Sequence, residues 1–419
     1  MLPEGIVDAE AKMTVNERYK YLRKMRERYQ GAERREQGKL LDEMEAVTGL
    51  HRKSLLRLMH SSLERKARTR GRRKEYGAEV DEAIRVIAKS LDYPCAVRLT
   101  PSLRAMAEHL GRHSVLQVGT SVLGQLEHVS ISTVERRLKQ VPEECRHLPR
   151  RRSSSANSAL CGVAMGRIPW DTPDPGHLET DTVHHCGPSA SGEYVHTVQI
   201  VDVATGWSDR QATLGRSYTV MKDAFDTLLE RLPFEVHELH PDNGSEFFNQ
   251  HMLRYWKEKV KGARLSRSRP YRKNDNPLVE QHNAAWVRAY LGYDRLDTVA
   301  QTQALNQLYD QLWVYCNFFQ PMMRTTEKQL VATSDGGTRI RRRYDRARTP
   351  FERLCETGVL SPQQQQELET VRQQTNPLQL REEIYALIDH IFSLPTAIPG
   401  VTENVYELVG LPWTTQAAD

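Results

Sequence analysis

Residues 240–247 read HPDNGSEF, and residues 268–288 read SRPYRKNDNPLVEQHNAAWVR. The first stretch puts Asp242 where the strand FEVHELH ends in a turn, a natural place for a ligand-facing carboxylate on a sheet. The second puts Glu280 in the first turn of a helix that Asn276 can cap and Pro277 can open. Glu280 aligns with Ala284, Val287 and Leu291 at helical spacing, which places it on the apolar face that packs on the sheet. Upstream, HLETDTV (177–183) reads as a short strand with Asp181 inside it. A charge there is expensive to bury unless it is paired or bound to a cation. Three carboxylates around a divalent cation would resolve that cost together. Sixty residues lie between Asp181 and Asp242, and thirty-seven between Asp242 and Glu280.

The pattern around these acids alternates. After HLETDTVHH comes the turn GPSASG, then the β-branched strand EYVHTVQIVDVATG and a third strand, WSDRQATL. RSYTVMKDAFDTLLERL is helical, with Val220, Phe225, Leu228, Leu229 and Leu232 inward. NQHMLRYWKEKV is a further helix, followed by a strand near 263–265. The order βββαβαβα describes an α/β domain. Other acids compete for the same roles. Glu179 shares a strand face with Asp181, Asp202 sits near the TGW turn as a structural acid, and Glu246 begins or caps the next helix. The loop 266–276 carries Arg267, Arg269, Arg272 and Lys273 just before Glu280, cations suited to phosphates, along with Tyr271. His282 and Asn283 lie one turn on, for a DNA contact or a structural hydrogen bond.

The charge is asymmetric. Residues 1–152 hold 32 Lys/Arg and 21 Asp/Glu, a net of +11, and the remainder holds 27 and 33, a net of −6. In the basic third, Leu40, Leu41, Met44 and Val47 mark one helix. Thr48-Gly49 breaks it, and Leu55, Leu56 and Met59 mark a second that exposes Arg52, Lys53 and Arg57. Helix, glycine turn, helix is a helix-turn-helix pattern. Seven positive charges in the ten residues Arg65–Lys74, including Arg72, Arg73 and Lys74, make an extended run that reads as a phosphate-tracking linker or minor-groove arm, with a solubilising run as the alternative. A second helical unit has the stripe Ala83, Ile84, Ile87, Ala88 and Leu91 and ends in VSISTVERRLKQV, which leaves Thr133, Arg136 and Arg137 to face a ligand. It resembles a second helix-turn-helix with a longer connection between its helices, with a plain helical bundle as the alternative. Residues 338–353 carry seven arginines, a further phosphate-binding candidate. Two helices follow it, the last with the stripe Leu380, Ile384, Leu387, Ile388 and Ile391, expected to dock on the core or on another subunit.

The expected divisions are a helix-turn-helix over 1–64, a basic linker over 65–75, a second helical domain over 76–142, a linker over 143–176, a catalytic core over 177–330 and a basic, helical region over 331–419. Cys95, Cys145, Cys161, Cys186, Cys316 and Cys355 include no CxxC pair, which argues against structural zinc and fits a reducing cytoplasm. No apolar run approaches the roughly 18 residues of a membrane span, and the first residues lack the order of a secretory signal.

Residues 177–319 resemble the retroviral-integrase-type catalytic core of DDE transposases. HPDNGSEF, SRPYRKNDNPLVEQHNAAWVR, HLETDTV and VDVATGW (201–207) carry the resemblance. With the helical units upstream, the whole chain is similar to bacterial insertion-sequence transposases. The resemblance implies an RNase H-like fold, a mixed five-stranded sheet with flanking helices. It implies Asp181, Asp242 and Glu280 as catalytic residues and ligands of two Mg²⁺ or Mn²⁺ ions. It also implies cleavage and 3′-OH strand transfer without a covalent protein intermediate. Double-stranded DNA, as element ends and target, is the expected partner. A homodimer or higher oligomer on DNA and a nucleoid-associated bacterial cytoplasmic location go with it. A DNA-binding regulator that has lost catalysis and an RNase H-type nuclease without strand joining are the competing readings.

Overall fold

The computed structural model describes residues 13–61, 63, 75–141, 164–166, 168–169, 171–242, 244, 247, 249–268, 275–332, 338–398 and 400–401. The chain falls into two units, Met1–Glu75 and Tyr76–Asp419. In the first, Thr14 and Glu17 cap each other's backbone and start α1 (Val15–Gly31). Then come α2 (Arg34–Thr48) and α3 (Arg52–His60). Gly49 ends α2 in the left-handed region, φ 67°, with its N–H on the Glu45 carbonyl at 2.9 Å. A side chain there would be strained. Leu22, Met25, Leu40, Leu41, Met44, Leu55 and Met59 form a core private to this unit. Val47 was expected in that stripe, yet it is 46% exposed. Thr48 is buried in its place, its hydroxyl satisfied by the Met44 carbonyl at 2.5 Å.

The second unit opens with α4 (Ala78–Ser90), α5 (Ala96–Leu99), α6 (Leu103–Arg112), α7 (Thr120–His128) and α8 (Ile131–Leu138). Ser130 caps α8 through the Thr133 N–H, 3.3 Å. The sequence suggested a long connection before α8, but α7 fills it. A mixed sheet follows: β1 (Ala164–Gly166), β2 (His177–His184), β3 (Val195–Asp202), β4 (Ser208–Leu214), β5 (Glu238–Pro241) and β6 (Arg264–Ser268). Helices α9 (Tyr218–Glu230) and α10 (Gln250–Lys259) alternate with the later strands. The order is β1-β6-β5-β2-β3-β4. β2, β3 and β4 are antiparallel neighbours, while β2–β5, β5–β6 and β6–β1 are parallel. Strands β2 to β6 make the expected mixed five-stranded sheet with flanking helices. The correction is β1, a sixth strand drawn from the stretch read as linker. Its three backbone pairs with Ser266, Arg267 and Ser268 cover what would otherwise be the sheet's edge. All eight residues of β3 are buried, as a strand covered on both faces requires.

After the sheet come α11 (Pro277–His282), a π-helical stretch Asn283–Arg288 and α12 (Ala289–Leu291). Then α13 (Val299–Val314) ends in a second π-helical stretch, Tyr315–Phe319. The hairpin β7 (Thr325–Ala332) and β8 (Thr338–Tyr344) makes its own sheet. Helices α14 (Pro350–Thr357), α15 (Pro362–Gln374) and α16 (Pro377–Ser393) follow. Leu380, Ile384, Ile388 and Ile391 of α16 are buried in the core of this same chain. No helix among the described residues is long and apolar enough to cross a membrane.

Helices α4 to α8 share one hydrophobic core with the sheet rather than standing apart. The junction is polar as well as apolar. The carbonyls of Ser90 and Leu91 accept from Tyr315 Oη at 2.9 Å and Gln320 Nε2 at 3.0 Å. Asp92, at φ 58°, turns its carboxylate to Arg381 (2.9 and 3.1 Å), Tyr290 Oη (2.9 Å) and Tyr385 Oη (2.8 Å). One acid thus ties α4 to α12 and α16. Asp92→Ala leaves a mostly buried guanidinium and two phenols without their acceptor. It is expected to lower unfolding free energy by about 3–5 kcal/mol in urea titration, with Asp92→Asn losing less.

Candidate active site

Asp181 and Asp242 meet through strand register. β2 and β5 run parallel, and their last paired residues are Thr180 and Pro241. Asp181 and Asp242 are the next residue on each, both half-buried, on neighbouring backbones about 4.8 Å apart. Gly176 makes this pairing possible. At φ 104° its carbonyl accepts from His237 (2.8 Å) and Glu238 (3.0 Å), and a side chain there would collide with Glu235 and His237. Asp202 braces the same corner. Fully buried, it accepts from the Gly176 and Thr205 amides, both at 2.8 Å, and from the Thr205 hydroxyl at 2.6 Å.

The third acid arrives on α11, but not as its spacing suggested. Glu280 and Ala284 are exposed, and the buried stripe is Val279, Asn283, Val287 and Leu291. That stripe repeats strictly every four residues, the signature of a helix under-wound by its π-helical stretch. A 3.6-residue projection therefore picked the neighbouring face. Asn276 does not cap the helix either. It is buried, and neither side-chain amide atom has a partner. The cap comes from β2. Glu179, 1% exposed, accepts from the Leu278 and Val279 N–H groups at 2.8 and 2.9 Å. A buried carboxylate on two free amides and the positive end of a helix is held by charge, dipole and hydrogen bonds together.

Asn283, one turn beyond Glu280, donates to Asp181 Oδ2 at 2.7 Å, and Asp181 Oδ1 accepts from the Thr182 N–H at 2.8 Å. Asp242 Oδ1 accepts from the Gly244 N–H at 2.9 Å. Beside Asp181 in register is Gln199, whose Oε1 accepts from Arg210 Nε at 3.1 Å. Gln199 and Arg210 are fully buried, so a guanidinium lies two strands from the aspartate on the same face. Sequence reasoning missed the Glu179 cap and this row. The signals were the E-x-D spacing of Glu179 and Asp181, and the charged and amide residues inside apolar strands.

The donor set is oxygen only, which suits a hard ion such as Mg²⁺ or Mn²⁺. Among the described residues, no three acidic, imidazole or thiol side chains are close enough to share one ion. Two aspartates stand side by side, and the glutamate lies on the exposed flank of the helix bonded to the first.

The expected DNA contacts separate into groups. Lys53, Arg57 and Arg136 are exposed. Arg52 instead pairs with Asp42 and donates to the Gly38 carbonyl at 3.3 Å, which ties α3 to α2. Thr133 is buried in the α8 cap and accepts from Arg136 Nη2 at 3.1 Å. Arg137 is half-buried on Asp81 of α4 at 2.6 Å. Arg72, Arg73, Lys74, Arg269, Tyr271, Arg272, Lys273 and Glu246 lie outside the described residues.

The chain is 34% identical over 319 residues to the uncharacterized protein y4rM of Sinorhizobium fredii (strain NBRC 101917 / NGR234). The match covers 76% of this chain and 89% of that protein. The chain belongs to the family of y4rM. No family model matches. Among solved structures, the catalytic core domain of BIV integrase is similar at 18% identity and a TM-score of 0.28, over 44% of this chain and 95% of that one. Any functional reading rests on the residues above.

Two measurements probe this architecture. Glu179→Ala strands one buried and one part-buried amide, and a loss of about 2–4 kcal/mol in chemical denaturation is expected. Glu179→Gln, which keeps an acceptor, should lose less. The second is pH. Burial pushes His185, His196 and His282 down to about 3 and His240 to about 4, each from an ordinary 6.5. Below 6.5 the unfolded chain therefore binds protons that the folded chain refuses, and stability is lost as pH falls. Asp209, raised by burial to about 7, and Asp202, also raised, work in the opposite sense. Four imidazoles outweigh two carboxyls. The melting temperature should drop between about pH 6.5 and about pH 4.5, and a flat or rising profile contradicts this balance.

Proposed function

We propose that this chain is a metal-dependent DNA strand-transferring enzyme of the transposase type, with Asp181, Asp242 and Glu280 as its acidic centre. The observation that carries the reading is Asp181 on β2 beside Asp242 at the end of its parallel neighbour β5, with the helix of Glu280 bound to Asp181 through Asn283. The three carboxylates would hold the divalent ions, which when bound activate an attacking oxygen and stabilise a leaving one at phosphorus. The protein's own part is positioning. Glu179 holds the start of α11 against β2, Asn283 orients Asp181, and the Gly244 N–H orients Asp242. Lys53, Arg57 and Arg136 offer exposed cations to DNA ends from two helical segments.

A second reading is DNA binding without catalysis. The exposure of Glu280 favours it, because the third ligand is not closed over the other two. One assay separates them. The full chain is incubated with Mg²⁺ or Mn²⁺ and DNA carrying the sequences that flank its own gene. New 3′-OH ends and joined strands are then mapped. Cleavage and joining are expected in the wild type. Asp242→Asn should reduce cleavage by about 10²–10³-fold, the scale of losing a principal electrostatic group, while end binding persists. Metal-dependent cleavage retained by Asp242→Asn removes the assignment, and binding with no cleavage by the wild type supports the second reading.

A further inference from the structure

The arginine-rich segment 338–353 divides into two parts with different surroundings. The first part builds a root. Arg353 Nη1 and Nη2 reach the two oxygens of Asp345 at 2.6 and 3.1 Å, and Arg348 Nη2 reaches Asp345 at 3.2 Å. Arg348 also pairs with Glu356, and Arg353 donates to the Met322 carbonyl at 3.0 Å. Met322 and Arg348 exchange two backbone hydrogen bonds, as a closed ladder rung does. Arg346 donates to the Pro101 carbonyl at 3.1 Å. These cations are committed to holding the base of the β7–β8 ribbon.

The second part stands on the ribbon. Arg341, Arg342, Arg343 and Tyr344 are consecutive and exposed on β8. Arg343 reaches Glu327 at 3.3 Å, an exposed pair of the kind worth little. Register sets Lys328 directly across from Arg342, a like-charge pair that weakens a ribbon. This sheet has two strands only, and such ribbons are marginal in water without support. Because strand residues alternate faces, Arg341 and Arg343 lie on one face and Arg342 on the other. A flat anionic surface would meet one face. A groove with an anionic wall on each side meets both.

We propose that the β7–β8 ribbon is an arm that enters the major groove of double-stranded DNA, with Arg341, Arg342 and Arg343 meeting its phosphate walls. A B-form major groove, about 12 Å wide, admits a two-stranded ribbon. The deep, narrow major groove of A-form RNA does not. This rests on the reading of the chain as a DNA-processing protein, and it adds a contact that the acidic centre does not require.

The test uses the full chain and a mixed-sequence DNA duplex, with affinity measured against KCl concentration. Replacing all three arginines (Arg341→Gln, Arg342→Gln, Arg343→Gln) should make the log–log salt slope shallower by about 0.9 per lost phosphate contact, up to about 2.7. A slope equal to wild type overturns the proposal. A second measurement on the wild type needs no variant to fold. Phenylglyoxal labelling of Arg341–Arg343, read by mass spectrometry, should fall when duplex DNA is added and stay unchanged with duplex RNA. Equal labelling with and without DNA, or protection by RNA alone, overturns it. If the wild type binds no duplex DNA at any salt, this proposal and the functional reading fall together. If it binds and cleaves DNA with an unchanged variant slope, only the arm is lost.

Discussion

A single buried carboxylate organises the centre of this molecule. Glu179 stands on β2, two residues from Asp181, and closes the N-terminus of α11 from a hundred residues away in sequence. Without it, the Leu278 and Val279 amides would have no side-chain acceptor, since Asn276 supplies none. Its charge suits the positive end of the helix, so the contact is directional as well as strong. It fixes where the helix begins against the sheet. Asn283 then falls on Asp181, and Glu280 stays on the exposed flank of the same helix. The π-helical stretch follows from the same constraint. A helix pinned at its first turn must keep Val279, Asn283, Val287 and Leu291 on the sheet, and the under-wound form does so.

The same face of the sheet is polar to an extent that a core rarely tolerates. Asp181, Gln199 and Arg210 run across three strands in one row, and Glu238, Ser266 and His240 form a buried hydrogen-bonded set on β5 and β6. Burial lowers the pKa of His240 and His282 and so keeps both imidazoles neutral. Such a face is held in one arrangement by its hydrogen bonds, and mutual orientation of acids needs that rigidity.

Basic residues illustrate how far composition misleads. Arg52, Arg137, Arg348 and Arg353 look like phosphate ligands in the sequence, but each is joined to an acid of this chain. Lys53, Arg57, Arg136 and the three arginines of β8 remain on the surface. A run of cations in sequence is divided by the fold into those that brace the structure and those that face outward.

Much was legible in the residues alone. Strands β2 to β6 with α9 and α10 followed from alternation and turn residues. The α3 start followed from Gly49, and the stripes of α4 and α16 from helical spacing. Asp181 and Asp242 were legible as strand-borne acids because a charge inside an apolar run stands out. Other features depended on contacts distant in sequence. No local signal assigns Glu179 to the cap of α11, since its donors lie a hundred residues on. Val47 and Thr48 exchanged places because a hydroxyl can bond back to its own helix. β1 joined the sheet because β6 offered it an edge, and α4 to α8 merged with the sheet through Asp92 and the carbonyls of Ser90 and Leu91. The sequence by itself determined where the strand-borne acids lie and the order of β2 to β6 with α9 and α10, because both depend on local composition and periodicity. Tertiary structure alone decided which acids are bonded, which face of α11 is buried and which arginines are exposed, because burial and pairing are settled by partners that the chain brings together only on folding.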